Sequence, residues 1–108
     1  MPLSHYDNEG RARMVDVSGK AETHRTAEAA AFVSMSDEVL KALPQNPKGN
    51  PLEVARFAGI QAAKKTAELI PMCHPLPLTH IDVATKIERN GIEITATAAT
   101  TAPTGVEM

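Results

Sequence analysis

Cys73 and His74 set a thiol and an imidazole side by side between prolines 71, 75 and 77. That much proline rules out regular structure over residues 72–77 and makes a stiff loop that can hold both groups in place. His74 could serve as a general acid/base or as a neutral donor to a substrate. Cys73 reads either as a buried, inert thiol or as a nucleophile, and the pattern supplies no base placed to activate it. Zinc is disfavoured, because one cysteine and four scattered histidines match no ligand spacing.

Lys48 stands beside Gly49, so a loop presents a cation next to a backbone that a ligand can approach. Phosphate binding or proton transfer would use that arrangement, and a solvated surface lysine would look the same. Lys20, Arg25, Lys64 and Lys65 are further candidate anion partners. Lys64 and Lys65 also suit the C-terminal end of a helix dipole, without any ligand. Ser18-Gly19-Lys20 invites comparison with a phosphate loop, but the upstream glycine and the following Ser/Thr are missing. A third irregular segment, Thr104-Gly105-Val106-Glu107-Met108, follows the last periodic stretch.

The elements that must position these groups follow from periodicity and punctuation. Residues 1–11 are polar and mixed and predict a flexible leader, with one domain over 12–108. Met14-Val15-Asp16-Val17 predicts a short strand. From Arg25 to Met35 alanine favours helix, but Ala27, Ala29, Ala31, Val33 and Met35 alternate with Thr26, Glu28, Ala30, Phe32 and Ser34, which predicts a strand. Ser36 caps a short helix that Pro44 ends. Asn50, Pro51 and Glu53 then open a helix expected to run to Leu69, with small residues such as Ala55, Gly59 and Ala63 for close packing. Ile81, Val83, Thr85 and Ile87, an Asn90-Gly91 turn, and Ile92, Ile94, Ala96 and Ala98 predict an antiparallel hairpin over 79–88 and 92–101. The resulting fold class is α+β, an antiparallel sheet with helices packed on one face, ferredoxin-like.

Composition narrows the function classes. A formal charge of -2 over 108 residues provides no field to attract nucleic acid, so a helix–turn–helix is excluded. A single cysteine cannot form an internal disulfide and fits a reducing compartment. The chain shows neither a signal-peptide run nor a stretch of transmembrane length, so the expectation is a cytoplasmic protein without membrane partners. With Tyr6, Phe32 and Phe57 as its only aromatics, the core is thin for its length. Another copy of the chain, or residues beyond this stretch, is expected to complete it.

The exact strings go further than physics alone. Lys20-Ala21-Glu22-Thr23, Lys48-Gly49-Asn50, the run from Ala58 to Thr66, the run from Leu69 to Leu76 and Thr104-Gly105-Val106-Glu107-Met108 resemble the molybdenum cofactor biosynthesis protein C family. So do Met14-Val15-Asp16-Val17-Ser18 and Val54-Ala55-Arg56, and all stand in the family's order and spacing. The resemblance implies a phosphorus–oxygen lyase. Its substrate would be (8S)-3′,8-cyclo-7,8-dihydroguanosine 5′-triphosphate, and its products cyclic pyranopterin monophosphate and pyrophosphate. It implies no redox cofactor, with Mg²⁺ entering only alongside the triphosphate, and a homohexamer (a trimer of dimers) with sites between subunits.

Residue by residue, the resemblance gives Met72, Cys73, His74, Glu107 and Met108 substrate contacts, Lys48 and His74 catalytic roles, and Lys20, Arg25 and Lys64 basic positions near the pocket. The family continues past Met108 into a helical segment with its principal acid/base Asp and Lys, so the chain is expected to be a piece without them. Two smaller departures are Pro103, where many members carry a basic residue, and Asn50, where Asp is common. The competing class is a non-catalytic module that binds a nucleotide or an acidic partner.

Overall fold

The period-2 pattern after residue 77 becomes two long strands in a computed structural model that describes residues 8–19 and 21–108. Strands β2 (Leu78–Glu88) and β3 (Gly91–Ala102) pair antiparallel. Their turn lies one residue earlier than expected, since Glu88 pairs with Gly91 and the loop is Arg89-Asn90. Gly91 is not needed for a left-handed turn, because its φ is not positive. It is needed for close approach: a Cβ there would overlap the Val33 carbonyl oxygen and come within 2.6 Å of Phe32 Cζ.

The strand read from the alternating alanines is β1 (Thr23–Ser34), antiparallel to β3, giving the sheet order β1-β3-β2. β3 is therefore central, and β1 and β2 flank it as in the split β-α-β units of ferredoxin-like folds. Register puts Ala29, Ala96 and Val83 in one row and Ala27, Ala98 and Ile81 in the next. Because side chains alternate across a strand, these rows share one face, and Glu28, Thr97 and Asp82 share the other. Sequence alternation thus became one apolar and one polar face.

Between β1 and β2 the chain is helical. Ser36 accepts from the Val39 amide at 3.3 Å and starts α1 (Asp37–Ala42), which tightens into a 3₁₀ turn at Leu43–Gln45. Pro44 sits inside that turn, past the α-helix end. Asn50 accepts from the Leu52 amide at 3.0 Å and caps α2 (Pro51–Lys64); its bond goes to the second helical amide, not to that of Glu53. The expected single helix to Leu69 is broken. Lys65 leaves helical geometry at φ -104, ψ 6, and α3 (Thr66–Leu69) restarts after it. The Thr66 hydroxyl donates back to the Ala62 carbonyl at 2.8 Å, a local competition with the helix ladder that such side chains favour.

Gly59 is where α2 meets the sheet. A Cβ added there would lie 3.0 Å from Val83 Cγ2, so the missing side chain lets the helix backbone rest on β2. The helix covers only that edge of the apolar face. Val83, Ile92, Ala99 and Ala102 are the buried apolar residues among those described, while Phe57, Val54 and Leu69 stay largely exposed. The radius of gyration is 17.7 Å, against about 13 Å for a compact domain of this length. The surface of 7948 Å² likewise exceeds the roughly 5,800 Å² expected from the mass. The thin core expected from composition is a structural fact of the single chain.

The strand expected at residues 14–17 does not form. Its Val15 carbonyl bonds instead to a side chain on the loop after α3. Residues 1–7 of the expected leader lie outside the described residues; within 8–11, Arg11 pairs with Glu9 at 2.9 Å.

Candidate functional site

The uncovered part of the apolar face floors a cavity of about 500 Å³. Ala27 and Ala29 of β1 and Ala96 and Ala98 of β3 supply a floor of methyl groups. Gly59, Ala63, Lys64 and Ala67 form the helical wall. Cys73 and His74 of the loop, with Glu107 and Met108 of the C-terminal segment, complete the lining. Small side chains on a twisted sheet leave room for a flat ring, and the charged groups concentrate around it. Most ligand sites have this build, apolar with a few polar groups that fix orientation.

The loop carrying Cys73 and His74 is held at both ends. The Cys73 amide donates to the Ile70 carbonyl at 3.0 Å, closing the turn after α3. At the other end the Thr100 hydroxyl, fully buried in β3, donates to the Pro77 carbonyl at 2.8 Å. Without that bond the sheet would bury an unsatisfied hydroxyl, which is costly. A register irregularity between Leu78 and His80 lies just beyond, where the loop joins β2. His74 Nε2 lies 2.7 Å from the Val15 carbonyl oxygen.

Cys73 is a thiol, not a thiolate. Burial pushes its ionisation up, and the nearby Glu107 charge pushes it further the same way. Its Sγ also donates weakly to the His74 carbonyl at 3.4 Å. Such a group packs beside a ligand more readily than it attacks one. Glu107 folds back over Gly105, so close that a Cβ at Gly105 would collide with the carboxylate. The glycine thereby permits the compact C-terminal turn that brings Glu107 toward Cys73.

Of the residues singled out from sequence, Lys64, Cys73, His74, Glu107 and Met108 line this cavity. Met72 is half-buried beside it without lining it. Arg25 lies two residues before Ala27 on the same strand face, half-buried, and its Nε is enclosed without a hydrogen-bond partner. Lys48 is exposed in a turn where its amide donates to Asn46 Oδ1 at 2.9 Å and Gly49 has φ 106. It does not line the cavity, so the single chain does not bring Lys48 and His74 together as expected. Lys20 lies outside the described residues.

Sequence reasoning missed several contributors, Glu28 of β1 among them. The alternating alanines were legible as a strand but not as a cavity floor, although two facing runs of small residues are the signal for one. Glu68 joins the lining from α3, and the Val15 carbonyl enters through backbone alone, which no residue type announces.

Comparison with known proteins identifies the family. Residues 14–108 match the MoaC family. A cyclic pyranopterin monophosphate synthase of Novosphingobium aromaticivorans is 54% identical over 108 residues, which is 98% of this chain and 69% of that protein. The synthase of Deinococcus radiodurans is 53% identical over 98% of this chain and 64% of its own length. That of Thermomicrobium roseum is 53% identical over 98% and 66%. The chain therefore spans about two thirds of the length of these relatives.

Proposed function

The chain belongs to the MoaC family, and on that premise we propose that it is a cyclic pyranopterin monophosphate synthase of molybdenum cofactor biosynthesis. The observation that carries the proposal is the convergence of Lys64, Cys73, His74, Glu107 and Met108 from three separate segments on one methyl-floored cavity. Its substrate is (8S)-3′,8-cyclo-7,8-dihydroguanosine 5′-triphosphate and its leaving group pyrophosphate, a phosphorus–oxygen lyase reaction.

The flat ring of that substrate suits the alanine floor. Cys73, His74, Glu107 and Met108 contact it from the cavity lining, Met72 backs them from beside the cavity, and Lys64 meets the phosphate end. Negative charge grows on the leaving oxygens as pyrophosphate departs, so cations already in place stabilise the transition state. His74 and Lys48 move protons during the ring rearrangement. No redox cofactor is needed, and Mg²⁺ would arrive with the triphosphate. Residues 12–108 act as one domain.

Lys48, Lys20 and Arg25 are read as completing the site in an assembly of dimers, up to a hexamer, where loops of neighbouring copies meet. The excess surface and the exposed Phe57, Val54 and Leu69 support such an assembly. We place the protein in the cytoplasm, in keeping with its single free thiol. No helix among the described residues is long and apolar enough to cross a membrane. Pyrophosphate release from the cyclised nucleotide tests the reading. A binding module would hold the nucleotide and release none.

A further inference from the structure

A carbonyl oxygen can only accept a hydrogen bond, so the nitrogen 2.7 Å from the Val15 carbonyl must carry a proton. That nitrogen is Nε2 of His74. A neutral imidazole has one N–H and one lone pair, and the lone pair is therefore left on Nδ1. We propose that the Val15 carbonyl locks His74 in its Nε2–H tautomer and makes Nδ1 the base that takes a proton from the bound substrate.

The carbonyl is itself held. Directly after Val15, the Asp16 carboxylate accepts from the Ser18 amide at 3.0 Å and forms a short side-chain turn. The Ser18 amide and hydroxyl also draw Asp16 below its ordinary carboxylate range, so the turn keeps its charged acceptor. The contact joins residues 59 apart in sequence and ties the 14–17 segment, which joins no sheet, to the site loop. When Nδ1 gains a proton, the ring becomes a cation and its bond to the Val15 carbonyl becomes charge-assisted and stronger. Val15 and Asp16 are thus positioning residues that act through His74. The assignment of Nδ1 as base rests on the proposed function; the tautomer does not.

Two-bond ¹H–¹⁵N correlation spectra of the ¹⁵N-labelled protein read both ring nitrogens directly. They are recorded at rising pH until the His74 shifts stop changing, with His74→Asn identifying the signals. The expected result is a proton-bearing Nε2, a lone-pair Nδ1 and an Nε2–H resonance protected from water exchange. Asp16→Ala should remove that protection, and Asp16→Asn, whose side-chain oxygen can still accept from Ser18, should restore it. A proton on Nδ1, or an Nε2–H that exchanges as fast in wild type as in Asp16→Ala, would overturn the tautomer lock whatever the protein catalyses. For the base, His74→Gln keeps a donor toward Val15 but has no lone-pair nitrogen. Its kcat should fall about a hundredfold or more with the fold intact, and a fall of only a few-fold would overturn Nδ1 as the base.

Discussion

Thr100 and Pro77 are joined by a 2.8 Å hydrogen bond from a fully buried hydroxyl to the last carbonyl of the loop that carries His74. The central strand therefore holds the site loop directly, and the loop inherits the rigidity of the sheet. Replacing Thr100 with the near-isosteric valine leaves the Pro77 carbonyl without its donor. The loss is expected to be about 1–3 kcal/mol of stability, read as a lower midpoint in urea unfolding with an unchanged slope. An unchanged midpoint would mean that the sheet does not hold the loop through this bond.

Gly59 and Val83 test the packing that makes the cavity wall. Alanine at 59 gains about 1 kcal/mol of helix propensity, but its Cβ would press against both Val83 methyls, at 3.0 and 3.2 Å. Overpacking typically costs about 1–3 kcal/mol, so Gly59→Ala should be neutral or destabilising. In Val83→Ala, which removes the obstructing methyls, the same substitution should instead stabilise. A double-mutant cycle measures the difference in sign. Strict additivity would show that the helix does not rest on Val83.

Cys73 should react slowly with iodoacetamide at pH 8, because burial and then the Glu107 charge disfavour the thiolate. Glu107→Gln removes the second cause and should speed alkylation. The linkage has a defined sign: the folded chain holds this proton more tightly than the unfolded one. Its contribution to stability is therefore full below an ordinary thiol's range, about 8.5, and is lost as pH rises beyond it. Alkylation as fast as in a free cysteine would contradict the thiol assignment.

Much of this was legible in the sequence, and the failures have physical causes. The hairpin and β1 were readable because each strand buries one face, which prints period 2 into the residues. The start of α2 was readable because Asn50 and Pro51 satisfy the same local demand in any helix. Its break was not, since residues 61–69 are ordinary helix formers and the Thr66 hydroxyl acts through a single bond to Ala62. Gly91 was recognised as a turn signal, yet its role is to let Val33 approach from another strand. Met14 to Val17 looked like a strand because alternation says nothing of whether a partner strand exists. His74 was found by residue type, but the Val15 carbonyl that orients it could not be, and neither could the distance of Lys48 from the cavity.

The exposed apolar surface makes assembly measurable. Phe57 is 62% exposed on α2, and in a monomer its replacement by glutamate should change stability little. In an assembly that buries it, the same charge would break the contact. Sedimentation of the wild-type protein should show a dimer-based oligomer, and Phe57→Glu a smaller species. A lone wild-type monomer at micromolar concentration would contradict the assembly and, with it, sites completed between copies.

The most direct test of the proposed function is pyrophosphate release from (8S)-3′,8-cyclo-7,8-dihydroguanosine 5′-triphosphate by the full-length protein, its Lys48→Ala variant and a Lys41→Ala control. Lys41 lies in the last turn of α1 and is not among the residues lining the cavity. The wild-type protein and the control should release pyrophosphate at equal rates. Lys48→Ala should be slower by roughly tenfold to a hundredfold, the equivalent of one lost charge-assisted hydrogen bond of ~1.5–3 kcal/mol. No release above the enzyme-free rate by the wild-type protein would contradict the synthase assignment, and equal rates for all three would remove Lys48 from the site.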